Sequence, residues 1–244
     1  MTSGSAAVNL EGVVVHLRAL GESSRVVELV TREAGRIALV ARGVRRSRKR
    51  FQGAIDLFVS LRVQATVKPG LWNLEGVDVI NPRLAIRSSL ERLSLASFFT
   101  ELTYQLMPEQ QRAQRIFDAY LTSLDAVDGN ALDKAMAVLP AMLNAAGILP
   151  SPDHCLRCGI IEPIAVAPLI VEGGWICADC ARGTVVTPAA FWRGEGAGLN
   201  VQGREALLRA AAAWVQGHTG RELKSLRLWQ SGSRTLAPPP RQAP

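Results

Sequence analysis

From Leu10 to about Ile80, apolar residues come in short runs broken by glycines and charged turns: Gly12 to Leu17, Arg25 to Thr31 and Arg36 to Ala41. A longer run follows, with Ile55, Leu57, Val59, Leu61, Val63, Ala65 and Val67 at the odd positions and mostly polar residues at the even ones. A period of two predicts a strand with one buried face. Lys68-Pro69-Gly70 ends it in a turn, and Trp72 to Ile80 predicts another strand. About five strands in such a short segment predict a small closed barrel, because an all-β stretch of this size has to hide its edges. Trp72 belongs to the expected barrel core.

After Asn81-Pro82 the period lengthens to that of helices. Ser88 with Glu91 reads as a capping box opening a helix that Pro108 ends. A second helix is predicted from Arg112 to Val127 and a third from Ala131 to Ala146, with Pro140 kinking or splitting the third and Gly147 stopping it. Tyr120, Met136 and Met142 fall on core positions. Gly203 to Gln216 is helical, and Thr219 with Glu222 reads as a further capping box opening Arg221 to Trp229. The chain thus reads as an α+β multidomain protein: a barrel over 1–81, a helical domain over 82–152, an inserted ribbon over 153–185 and C-terminal helices over 186–230. The proline-rich segment 231–244 holds too little apolar surface to fold and is expected to be disordered.

The ribbon rests on Cys155, Cys158, Cys177 and Cys180, which are all the cysteines of the chain. They form two Cys-x-x-Cys pairs, and the intervening positions 159–176 match the roughly 15–20 residues that a zinc ribbon uses. Two residues between thiolates let one tight turn offer both sulfurs to one ion, so two such turns predict a single structural Zn²⁺ in a closed tetrahedral site. A disulfide, a redox-active pair or unrelated thiols are the alternatives. His154 is read as a neighbour, because four thiolates already fill the site. Ile164 to Trp175 is expected to form a hairpin turning at Gly173 and Gly174.

Composition sharpens the reading through charge. The net charge is +7 with a pI near 9.8, and Arg42, Arg45, Arg46, Arg48, Lys49 and Arg50 put six cations into nine positions without an acid. Falling between the third strand and the long one, they form a barrel loop. Such a loop repels itself unless it serves a polyanion, so it is the candidate nucleic-acid site, the alternative being a solvated charged loop. Phe58, on the polar side of the long strand, is either an exposed stacking platform for a base or a residue covered by a helix. No Ser-His-Asp, Cys-His or paired-carboxylate arrangement stands out around His16, His154 and His218, so no catalytic residue is predicted and the chain is not read as an enzyme. A nuclease would need a carboxylate cluster for Mg²⁺. Residues Met1 to Ala7 lack a secretion signal and no run of about 18 apolar residues exists, so a cytoplasmic protein without a membrane span is expected.

Several short stretches carry a resemblance. They are Glu22-Ser23-Ser24, Val30-Thr31 with Gly35, Ala41-Arg42-Gly43-Val44-Arg45, Phe98-Phe99 with Glu101-Leu102, Leu143, Gly147, Leu149-Pro150, Gly173-Gly174 and the four cysteines with Gly159. In this order the chain resembles the RecO family of bacterial DNA repair and recombination mediators. The resemblance implies an oligonucleotide-binding (OB-fold) barrel that holds single- and double-stranded DNA and anneals complementary strands. It also implies work with RecR and RecF to load RecA onto DNA coated with SSB, in the cytoplasm and at the nucleoid. The acidic, hydrophobic C-terminal tail of SSB would suit an apolar groove rimmed by arginine, for which Arg112, Arg115, Ile116 and Phe117 are the candidates. The chain departs from the family's usual pattern in having Arg42 where lysine is frequent and Gly53-Ala54 where Pro-Phe is frequent. Family members without the cysteines make zinc structural rather than part of a shared mechanism. The alternative function is a zinc-ribbon adaptor that acts through protein contacts, with DNA binding incidental.

Overall fold

A computed structural model describes residues 7–44, 51, 54–195 and 199–235. Among them two compact units separate, Met1–Leu84 with Thr103–Leu124, and Ala85–Leu102 with Asp125–Pro244.

The first unit holds strands β1 (Ala7–Leu20), β2 (Ser24–Thr31), β3 (Gly35–Ala41), β4 (Ser60–Thr66) and β5 (Trp72–Asn81). They close into a barrel in the order β1-β2-β3-β5-β4, with β1 returning to β4. Closure depends on β1, which is longer than its apolar core suggests. It pairs antiparallel with β4 from Ala7 to Val13 and with β2 from Gly12 to Leu20. The handover falls at Gly12, where a Cβ would stand 2.7 Å from the Val30 carbonyl oxygen, and a register shift follows between Val14 and His16. A glycine and a bulge are the devices by which one strand bends from one partner to the next.

The long odd-position run is only partly a strand. β4 begins at Ser60, and Phe58 adopts a positive φ of 68°, which ends extended pairing. Ile55 and Val59 nonetheless fill the barrel interior with Leu29, Leu39, Leu61 and Val63. Trp72 joins that interior, as expected.

The β1–β3 sheet is buried on both faces. Val13, Val15, Val26, Val30 and Val40 are buried yet lie outside the interior cluster. Against this outer face stands the segment Thr103–Leu124. Arg36 N–H donates to the Pro108 carbonyl at 2.9 Å, and Gln110 N–H donates to the Arg36 carbonyl at 3.0 Å. The approach is close enough that a Cβ on Gly35 would lie 2.1 Å from the Gln111 carbonyl oxygen.

Helix α1 (Leu90–Leu106) is followed by α2 (Gln114–Asp128), α3 (Leu132–Met136) and α4 (Leu139–Ala145). The third predicted helix is thus split, with Pro140 in the first turn of its second half. The cap of α1 is Ser89, whose Oγ accepts from Arg92 N–H at 3.2 Å; Ser88 Oγ instead donates to the Ala85 carbonyl at 2.8 Å, so the cap lies one residue past the predicted Ser88, and Glu91 pairs with Arg204. Tyr120, Met136 and Met142 are buried, as expected.

The second unit carries a three-stranded sheet in the order β7-β6-β8, from β6 (Ala165–Leu169), β7 (Gly174–Cys177) and β8 (Thr187–Pro188). Short helices α5 (Ala178–Ala181) and α6 (Ala189–Trp192) precede the long α7 (Val201–Thr219) and α8 (Ser225–Thr235). Arg204 ties α7 to α1 and α3 through Glu91 and Asp133, both at 3.0 Å. The last helix differs from its prediction at both ends. Thr219 still belongs to α7, which Gly220 stops at φ 70°. The start of α8 is capped by Glu101, whose carboxylate accepts from Lys224 N–H at 3.0 Å and Ser225 N–H at 2.7 Å. Helix α8 runs on through Ser231 to Thr235, so disorder does not begin at Ser231; 236–244 lie outside the described residues. Among the described residues no helix is long and apolar enough to cross a membrane.

Candidate metal centre and barrel face

The four cysteine sulfurs lie within 4.8 Å of one another. Each pair sits on its own tight turn. In the first, Gly159 at φ 71° donates its N–H to the Cys155 carbonyl at 2.9 Å, closing the loop around Cys158. Left-handed geometry of this kind is open to glycine at no steric cost. In the second, Cys177 ends β7 and Cys180 lies in the single turn of α5. Cys177 N–H donates to Cys155 Sγ at 3.3 Å, joining the two turns.

These sulfurs fit a tetrahedral ion. Metal–thiolate bonds of about 2.3 Å place ligand sulfurs about 3.8 Å apart, and Cys158 Sγ lies 3.7 Å from Cys177 Sγ. All four cysteines are free of disulfides. Electrostatics asks for the same ion. Burial opposes a thiolate at Cys155, but the amide N–H groups of Cys158, Cys177 and Arg157 outweigh it and bring the thiol down to about 6. Hydrogen bonds with Cys158 and Cys177, together with desolvation, push Cys180 up to about 12. Cys155 is thus eased towards the thiolate while Cys158 and Cys180 are held back from it, an opposition that a divalent cation removes. The surrounding core is small: Cys155 and Cys177 pack with Ala167, Ile176 and Ala181.

On the barrel, Arg42 is exposed directly after β3. Arg45, Arg46, Arg48, Lys49 and Arg50 lie outside the described residues. Their flanks are described: Ala41 on one side and Phe51 on the other are both buried in the barrel interior.

Residues 6–83 match the family profile described as Recombination protein O N terminal, and residues 87–227 match Recombination protein O C terminal. The chain belongs to the RecO family. Among relatives named DNA repair protein RecO, that of Anaeromyxobacter sp. (strain K) is 34% identical over 242 residues, covering 90% of this chain and 94% of the relative. That of Myxococcus xanthus is 33% identical over 221 residues, covering 84% and 90%, and that of Geobacter metallireducens is 33% identical over 184 residues, covering 74% and 75%.

Two expectations for the surface of this unit are corrected by burial. Phe58 is 2% exposed, so it offers no free ring face on which a base could stack. Its place is fixed by Arg83, a buried arginine whose Nη1 donates to the Phe58 carbonyl and to Ser60 Oγ, each at 2.8 Å. Ile116 and Phe117 are also buried and cannot floor an open groove; the Arg32 guanidinium covers the Phe117 ring at 5.6 Å. Arg112 and Arg115 are exposed.

Sequence reasoning missed a polar cluster in the barrel unit. Arg36 lies 4.2 Å over the Tyr104 ring and pairs with Glu109 at 2.6 Å and with buried Glu28 at 3.6 Å. Burial, reinforced by the Glu28 carboxylate, pushes the Tyr104 hydroxyl up. The available signal was Glu28 within the apolar run of β2, where a buried acid needs a cation.

Proposed function

We propose that this chain is a non-enzymatic recombination mediator in DNA repair. It binds single- and double-stranded DNA, anneals complementary strands, and helps RecR and RecF load RecA onto SSB-coated DNA in the cytoplasm, at the nucleoid. The observation that carries this reading is the basic run in its setting. Six cations between Arg42 and Arg50 are flanked by two residues of a closed five-strand barrel's interior, so their charge is tethered to one rigid element. Annealing needs no bond-making residue. Cations that screen two phosphate backbones lower the repulsion between approaching strands, and base pairing supplies the driving force. Each phosphate contacted in a single strand adds about 0.7 to the salt slope.

The four cysteines hold one structural Zn²⁺ in this reading, since four thiolates in a closed tetrahedral set suit zinc. Zinc there supplies folding energy to the ribbon and takes no part in annealing. Contact with the acidic tail of SSB falls to exposed basic side chains such as Arg112 and Arg115.

A second reading, the ribbon as a protein adaptor, is favoured by its exposed apolar residues: Ile161 is 77%, Ile164 90% and Val171 97% exposed. One experiment separates the two. Complementary oligonucleotides coated with SSB are annealed with and without the protein across a salt series, using the native chain and a variant with Arg42, Arg45, Arg46, Arg48, Lys49 and Arg50 changed to Ala. Annealing by the native chain that fails at high salt and in the variant is the expected result. Equal annealing by the variant moves the DNA site elsewhere. No annealing with SSB still bound favours the adaptor.

A further inference from the structure

The four cysteines of the metal centre are unequal in access. Cys155 and Cys177 are buried, Cys180 is half-buried and Cys158 is exposed. Cys158 Sγ also lies 3.7 Å from the sulfur of a buried cysteine on the other turn, Cys177 Sγ. Among sulfurs that share one site, exposure decides which cysteine an oxidant reaches first. Around the sulfurs the ribbon has little else to hold the two turns together, because Cys155 and Cys177 are themselves part of that small cluster; Trp175 packs instead against Trp192 and Trp214.

We propose that Cys158 is an oxidation site: hydrogen peroxide attacked by its exposed sulfur converts Cys158 and Cys177 into a disulfide that joins the two turns and releases the metal. This rests on the reading of the four cysteines as a zinc site. The Cys158 thiolate attacks one peroxide oxygen, the O–O bond breaks, and the departing hydroxide takes up a proton to become water. Cys158 is left as sulfenic acid. The Cys177 thiolate then attacks Cys158 Sγ, the S–O bond breaks, and a second hydroxide leaves and is protonated. Two thiolates, one peroxide and two protons have become one disulfide and two waters. Zinc retains only Cys155 and Cys180, half of a tetrahedral set, and dissociates.

The test uses the zinc-loaded full chain, hydrogen peroxide and a chromogenic zinc chelator in the surrounding solution, followed by peptide mass mapping of the disulfide. The companion variant is Cys158→His, which keeps a nitrogen ligand of the Cys₃His type while removing the exposed thiolate. One zinc released per native chain, a Cys158–Cys177 disulfide, and about tenfold slower release from C158H are expected, because only less accessible thiolates remain. Peroxide that releases no zinc, a disulfide that leaves out Cys158, or release from C158H at the native rate overturns the proposal. Should C158H fail to retain zinc, mapping in the native chain decides alone: Cys158–Cys177 upholds the proposal and any other pairing overturns it. A native chain that takes up no zinc overturns the metal reading itself, which the zinc content before peroxide reveals separately.

Discussion

The barrel and the ribbon are both small β structures, yet they draw stability from different sources. The barrel sheet buries valines on its outer face as well as a continuous aliphatic interior, so the hydrophobic effect can hold it. The ribbon has three strands, one of two residues, and a core in which Ala167, Ile176 and Ala181 share space with sulfurs. Trp175 adds apolar contact with Trp192 and Trp214, but around the cysteine turns so few apolar atoms cannot offset the entropy of ordering the chain. Where apolar surface is scarce, the proposed zinc would supply ligand bonds in its place.

The strongest way to break this contrast is to remove the metal. Chelation should cost the ribbon the roughly 10–16 kcal/mol of apparent zinc affinity typical of small zinc domains. Hydrogen exchange would then show lost protection from Cys155 to Thr187 and unchanged protection in β1–β5; equal loss in both would end the comparison. Next comes Leu39→Ala in the barrel interior, expected to cost about 2–5 kcal/mol, read as a lower urea midpoint with zinc content unchanged. Gly35→Ala follows, with about 1–3 kcal/mol of backbone strain added to the shift forced by a Cβ 2.1 Å from the Gln111 carbonyl oxygen, because Gly35 sits at φ 60°. Its effect should appear in the same urea titration. The smallest effect belongs to Arg62→Ala, which breaks an exposed pair with Glu11 at 2.6 Å and should lower stability in the urea titration by less than about 1 kcal/mol.

The ribbon was the most legible part of the chain because its chemistry sits in four residues at a fixed spacing. The barrel was legible in strand number and approximate position, since alternation is a local property. Its second buried face was not read, although Val13-Val14-Val15 and Val26-Val27 break the alternation of a half-solvated strand and signal burial on both sides. The Thr219-x-x-Glu222 pattern was a false helix start: Gly220 stops α7, and the residue that caps α8 is Glu101, more than a hundred positions away in sequence.

What the sequence determined by itself were the features set by neighbours along the chain: the cysteine turns, the period-two strands, the proline that splits a helix, and the cationic run after β3. Burial of Phe58 over the Arg83 clamp, the Glu101 cap and the Arg36–Tyr104 cluster were decided only in the tertiary structure. The physical reason is one of range. Turn geometry and side-chain alternation follow from a few consecutive dihedral angles, whereas burial and ion pairing depend on which distant segment closes over a residue.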